Sequence, residues 1–90
     1  MGANPPYTII FVKKVVEKYI PALPQKNKEQ IKRAINERLT VDPLSFGKPL
    51  SHNLAGQRRL RVGDYRVVYR VEGKNVIVTV IKHRKDVYDE

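Results

Sequence analysis

From Arg58 to His83 two short turn signals cut the sequence into three β-rich runs, and this constrains the fold more than any other feature. Gly63-Asp64 is a two-residue hairpin signal, with glycine suited to a first turn position that needs positive φ. Glu72-Gly73-Lys74-Asn75 is the next turn. The runs between them, Arg58 to Val62, Tyr65 to Val71 and Val76 to His83, are rich in β-branched and aromatic residues. Turns this short leave three consecutive strands no arrangement but an antiparallel meander.

The first half of the chain has a different period. Tyr7 to Phe11 (YTIIF) reads as one more strand after a loose start. From Val12 the apolar residues Val12, Val15, Val16, Tyr19, Ile20 and Leu23 fall at helical spacing, with Lys13, Lys14, Glu17 and Lys18 on the other side. Pro21 kinks or ends this helix and Pro24 stops it. A second helix is expected from about Asn27, with Gln30 completing a capping box and Ile31, Ala34, Ile35 and Leu39 as its apolar stripe. Asp42-Pro43 stops it. The short connection predicts an antiparallel helical hairpin. Residues 43–56 read as a loop anchored by Leu44, Phe46, Leu50 and Leu54. The fold class is therefore α+β, in the order β-α-α-β-β-β, with the helices on one face of a mostly antiparallel sheet. The 90 residues make one domain, 1–90.

Several functional classes are excluded by composition. The chain has no cysteine, so disulfides, thiolate nucleophiles and Cys-based zinc sites are absent. Its two histidines, His52 and His83, have no carboxylates at ligand spacing, and His52 reads as polar surface. Neither G-x-G-x-x-G nor G-x-x-x-x-G-K-[ST] occurs, which argues against nucleotide hydrolysis. The longest uncharged stretch, Met1 to Val12, is broken by Pro5-Pro6 and falls short of the roughly 20 apolar residues of a membrane span. These features lead us to expect a soluble, cytoplasmic protein.

Charge gives the positive signal. The formal net charge is +9, and residues 57–85 carry nine basic against two acidic residues, six of the nine being arginine. Arginine's planar fork matches phosphate bidentately, so this segment reads as a polyanion-binding face; a solvated, solubilising face is the alternative. Strand alternation puts Arg59 and Arg61 on one side of their strand, and Arg66, Val68 and Arg70 on one side of the next. The tail His83-Arg84-Lys85-Asp86-Val87-Tyr88 gathers a proton carrier, cations and an aromatic phenol, the groups that phosphoryl chemistry uses.

These stretches resemble a known family. Leu54-Ala55-Gly56, Leu60 to Tyr69 (LRVGDYRVVY) and Val78 to Tyr88 (VTVIKHRKDVY) are similar to the RelE/ParE superfamily of toxins from type II toxin–antitoxin modules, nearest to the RelE type. The element order agrees across nearly the whole chain. The resemblance implies a ribosome-dependent endoribonuclease that cuts mRNA in the A site, the ribose 2′-OH attacking the adjacent phosphate without metal or cofactor. It implies neutralisation by an acidic RelB-like antitoxin. It makes Arg66, Arg84, Tyr88 and His83 the catalytic candidates. Arg59 and Arg61 become RNA-binding residues, as do Arg58, Lys82 and Lys85. The histidine varies within the family, so the general base stays open. A ParE-like inhibitor of DNA gyrase, or a basic nucleic-acid-binding module without chemistry, are the alternatives.

Overall fold

The computed structural model describes residues 6–51 and 55–86. His52, Leu54 and Tyr88 lie outside that range. The three C-terminal strands form as the turn signals require: β3 (Arg58–Val62), β4 (Tyr65–Glu72) and β5 (Asn75–His83), paired antiparallel. Gly63 and Gly73 both take positive φ, +59° and +61°, at the two tight turns.

Two further strands complete a five-stranded sheet in the order β1-β5-β4-β3-β2. The N-terminal strand β1 (Thr8–Phe11) lies beside the last strand and runs parallel to it. β5 is hydrogen-bonded on both edges, to β1 on one side and β4 on the other. β2 (Lys48–Pro49) pairs with the start of β3 at the other edge. Proline can sit there because an edge strand has one side without ladder bonds. The expected plain loop over 43–56 therefore needs correction: it holds β2 and a one-turn helix, α2 (Pro43–Phe46), with Pro43 at its start.

The helical region also departs from expectation at its boundaries. The first helix is short, and its main part, Val15–Tyr19, is a wide π turn closed by Ile20 N–H donating to the Val15 carbonyl at 2.9 Å. The second helix, α1 (Gln25–Ala34), starts two residues before Asn27. Pro24, at φ −58° and ψ 148°, sets the entry, so Asn27 lies inside the first turn and forms no cap; the Gln25 amide donates to Glu29 at 3.0 Å instead. α1 runs into a second π turn, Ile35–Leu39, closed by Thr40 N–H on the Ile35 carbonyl at 3.3 Å.

The helices cover one sheet face. Val15, Leu23, Ile31, Ala34, Ile35 and Leu39 pack with Leu60, Val62, Val67, Tyr69, Val76, Val78 and Ile81 in one cluster. Fully buried valines and leucines of this kind each contribute roughly 1.5–3 kcal/mol. The strand residues between the core positions project from the opposite face. No helix among the described residues is long and apolar enough to cross a membrane.

Candidate functional site

A bulge in β5 decides which side chains share that opposite face. Val68 pairs with Val80 and Tyr69 with Val78, leaving Thr79 as the extra residue. Its hydroxyl donates to Gln57 Oε1 at 2.8 Å, which fixes the bulge against the start of β3. Strict alternation from Val76 and Val78 would turn Lys82 inward. The bulge reverses this: Ile81 enters the core, and Lys82 joins the set across from Arg66.

Arg61, Arg66 and Lys82 consequently stand in register on three adjacent strands. Arg59 lies one step further along β3, opposite Val68. Like charges placed directly opposite each other on a sheet are destabilising. Three cations in register raise the local positive potential on this part of the sheet. Arg70 is different. It sits toward the other end of β4 and makes a 2.5 Å ion pair with Glu72, so its charge is locally neutralised.

Arg58 faces the other way. It is opposite Tyr69, on the helix side, and its Nη2 donates to the Leu44 and Gly47 carbonyls at 2.7 Å each. Beside it the Tyr69 hydroxyl is buried and donates to the Pro43 carbonyl at 2.6 Å. Burial pushes this phenol above its ordinary value of 10.0, with the Arg58 guanidinium pulling part of the way back. Arg58 thus ties the α2 segment to the sheet, a structural task that its place in a basic run does not reveal.

The tail residues gather at the same end of the sheet as Arg61 and Arg66, but not on the same face. His83 pairs with Tyr65, and the two rings meet edge to face at 5.2 Å. His83 Nδ1 accepts the Lys85 backbone N–H at 3.1 Å, so in the neutral ring the proton sits on Nε2. Arg84 opens a 3₁₀ turn (Arg84–Asp86) whose first N–H donates to the Asp64 carbonyl at 2.7 Å; its side chain lies 3.8 Å from the Asp64 carboxylate. The β3–β4 turn thereby holds Arg84 beside the row of cations. Lys85 is exposed.

A cleft of about 200 Å³ opens where these groups meet, lined by Tyr19, Leu23, Tyr65, Lys82 and His83. Lys82 and Lys14 lie over the Tyr19 ring, 5.5 and 5.6 Å from its centroid. Aromatic walls with cations at the rim suit a nucleobase and its phosphate. Tyr19 and Tyr65 were legible in sequence only as apolar positions of a helix and a strand. The π turn, which no sequence period announces, brings Lys14 onto Tyr19 five residues on.

The model of the family described as the ParE toxin of type II toxin–antitoxin systems, parDE, matches residues 11–88. The chain belongs to the RelE/ParE family of toxins. Toxin RelG of Mycobacterium tuberculosis (strain ATCC 25618 / H37Rv) is 40% identical over 52 residues, 56% of this chain. That match spans 60% of the relative's length. Among solved structures, the toxin–antitoxin complex RelBE2 from Mycobacterium tuberculosis is similar at 31% identity and TM-score 0.81, covering 88% of this chain and 99% of that one. The RelB–RelE antitoxin–toxin complex from Methanococcus jannaschii is similar at 25% identity and TM-score 0.66, covering 84% and 91%. The toxin's residues 11–88 thus include the whole meander and the turn that carries Arg84.

Proposed function

We propose that this toxin is a ribosome-dependent endoribonuclease that cuts mRNA by attack of a ribose 2′-OH on the adjacent phosphate. The observation that carries the reading is the in-register row Arg61, Arg66 and Lys82, with Arg84 anchored at its end. Such cleavage needs three things: a proton taken from the 2′-OH, charge stabilised on the phosphate as the pentavalent state forms, and a proton given to the leaving 5′-oxygen. Arg66 and Arg84 stabilise the developing charge. Arg59 and Arg61 hold neighbouring phosphates, and Lys82 and Lys85 extend the basic surface. His83, through Nε2, and Tyr88 are the candidates for moving protons, and Tyr88 also for stacking on a base. None of these steps calls for a metal or cofactor. The ribosome supplies the fixed geometry of the message, which a shallow basic face cannot impose alone.

The same reading includes an acidic, RelB-like antitoxin as partner, since a +9 chain is best neutralised by a segment of opposite charge. A second reading rests on the family description itself, which names ParE: a ParE-like toxin that poisons DNA gyrase. One experiment separates them. The toxin is added to an in vitro translation reaction and mRNA 5′ ends are mapped. The nuclease reading expects new 5′ ends within translated codons and none without ribosomes. Intact messages together with loss of gyrase supercoiling activity would replace it with the gyrase reading.

A further inference from the structure

The row of cations does not stop at the sheet. β2 pairs only with Arg58 and Arg59, so from Leu60 onward β3 has no strand on its outer side. There α1 and the second π turn come alongside and enclose a depression of about 210 Å³, lined by Gln30, Arg33, Glu37, Arg38, Arg61 and Gly63. Gln30 reaches the hairpin turn: a Cβ on Gly63 would lie 3.0 Å from its Nε2.

Two observations mark this depression as a binding site. The first is the helix geometry. At about 3.6 residues per turn, residues five apart on an α-helix face well away from each other. The π turn over Ile35–Leu39 widens the spiral to i→i+5 and brings Arg38 back to the wall that Arg33 occupies. Such wide turns recur at functional sites, since they cost regular bonding. The second is the charge. Three guanidiniums meet one carboxylate, and among the described residues no acid comes within ion-pairing distance of Arg33, Arg38 or Arg61. Guanidiniums that outnumber their counter-charges are a usual preparation for an oxyanion ligand.

We propose that Arg33, Arg38 and Arg61 form a second phosphate site, which takes a backbone phosphodiester of RNA next to the one bound over Arg61 and Arg66. Arg61 belongs both to the row on the sheet and to the wall of the depression, so a strand crossing the row continues over the edge of β3 onto α1. Naming RNA as the ligand rests on the function proposed above. The site itself rests on the geometry.

The test is binding of a fluorescent single-stranded RNA dodecamer across a salt series. It compares the wild type, Arg33→Gln/Arg38→Gln, and a control pair of equal charge loss, Lys13→Gln/Lys18→Gln, on exposed helix positions outside the depression. Thermal melts confirm that all three are folded. Loss of two phosphate contacts on a single strand should flatten the slope of log K against log salt by about 1.4. The control should lose less than half of that. Co-sedimentation with ribosomes gives the second arm: a selective loss there, with dodecamer binding kept, assigns the phosphate to ribosomal RNA, and a loss in both assigns it to the message. Equal behaviour of the two double variants in both arms overturns the site. So does a selective loss of binding to a twelve-residue oligoglutamate with RNA binding intact, which would assign the arginines to an acidic protein partner. A wild type that binds RNA selectively through this site yet cuts no message would sink the nuclease reading and leave the site standing.

Discussion

Arg58 and Arg61 lie three residues apart on one strand, yet they belong to different parts of the molecule. Arg58 faces the helices and donates two hydrogen bonds to loop carbonyls beside the buried Tyr69. Arg61 stands opposite Arg66, in a row of like charges that continues to Lys82. The residue type is the same; the odd or even position along β3 decides the task. Around Arg58 the guanidinium Nη2 and the Tyr69 hydroxyl both reach loop carbonyls, and the arrangement stabilises the fold. Around Arg61 and Arg66 like charges stand directly opposite each other, which costs stability, and an anionic ligand would offset part of that repulsion. The two regions should therefore respond in opposite ways to the same substitution.

Arginine-to-lysine exchange makes that contrast sharpest. Lys keeps the charge and loses the planar fork. At Arg66 we expect cleavage on programmed ribosomes to fall by about 10²–10³-fold, close to the loss in Arg66→Ala, with the urea midpoint unchanged. At Arg58 we expect the reverse: a stability loss of about 1.5–3 kcal/mol, because the lysine side chain is one bond shorter and its ammonium falls short of the Nη2 position between the Leu44 and Gly47 carbonyls. Turnover by the folded fraction should stay normal. Single-turnover cleavage and urea denaturation on both variants check this. Near-wild-type cleavage by Arg66→Lys would mean that Arg66 supplies only general positive potential.

The sequence was most readable where local chemistry decides the outcome. Two glycine turns fix the lengths and pairing of β3, β4 and β5, and the bounds read from them agree with the strands to within a residue. Alternation put Arg59 with Arg61 and Arg66 with Arg70, and the hairpin register Arg61–Arg66 joins the two sets on one face. What stayed hidden depends on tertiary partners. Nothing local in Val78-Thr79-Val80-Ile81 announces the bulge, because all four residues favour strands; Gln57, more than twenty residues away, holds Thr79 in place. Without the bulge His83 and Lys82 would exchange faces. The placement of β1 beside β5 is a choice among sheet edges, which periodicity does not address. Asn27 failed as a cap because Pro24 had already started the helix. The tasks of Arg58 and of the Arg33–Arg38 pair were masked by a charge pattern that looks alike wherever arginine occurs.

The region around Arg58 can be broken without touching any charge. Gly47 takes an ordinary φ of −94°, so conformational freedom does not explain glycine there. The reason is space: a Cβ would overlap the Tyr69 hydroxyl and lie 2.9 Å from the ring's Cζ. Gly47→Ala should therefore destabilise the fold by about 1–3 kcal/mol, the usual cost of overpacking. Adding Tyr69→Phe removes the most crowded atom. The double variant should melt above Gly47→Ala alone, though below the wild type, since the ring carbon remains close. Thermal melts of the three proteins decide it. Additive losses would show that the overlap is relieved by movement of the α2 segment rather than borne by the tyrosine.

The smallest effect isolates one hydroxyl. Tyr69→Phe removes the hydrogen bond to the Pro43 carbonyl and leaves that oxygen without its donor, a loss of about 1 kcal/mol at neutral pH. The cost should then depend on pH, with a sign set by burial. In the folded chain the phenol is held neutral above its ordinary value of 10.0, first by desolvation, with Arg58 opposing. In the unfolded chain it ionises near that ordinary value. The raised group's contribution is therefore fully present below about pH 10 and declines as pH rises toward and through the folded-state value, by at most about 1.4 kcal/mol per pH unit. The phenylalanine variant lacks this decline. The two proteins differ only at the Tyr69 hydroxyl, so the difference between them reports that group. Urea midpoints from pH 8 to 11 should show the wild type's advantage holding to about pH 10 and narrowing above it. A constant gap to pH 11 would mean that Tyr69 ionises as freely in the folded chain as in the unfolded one, and that the hydroxyl beside Arg58 is not sealed from water.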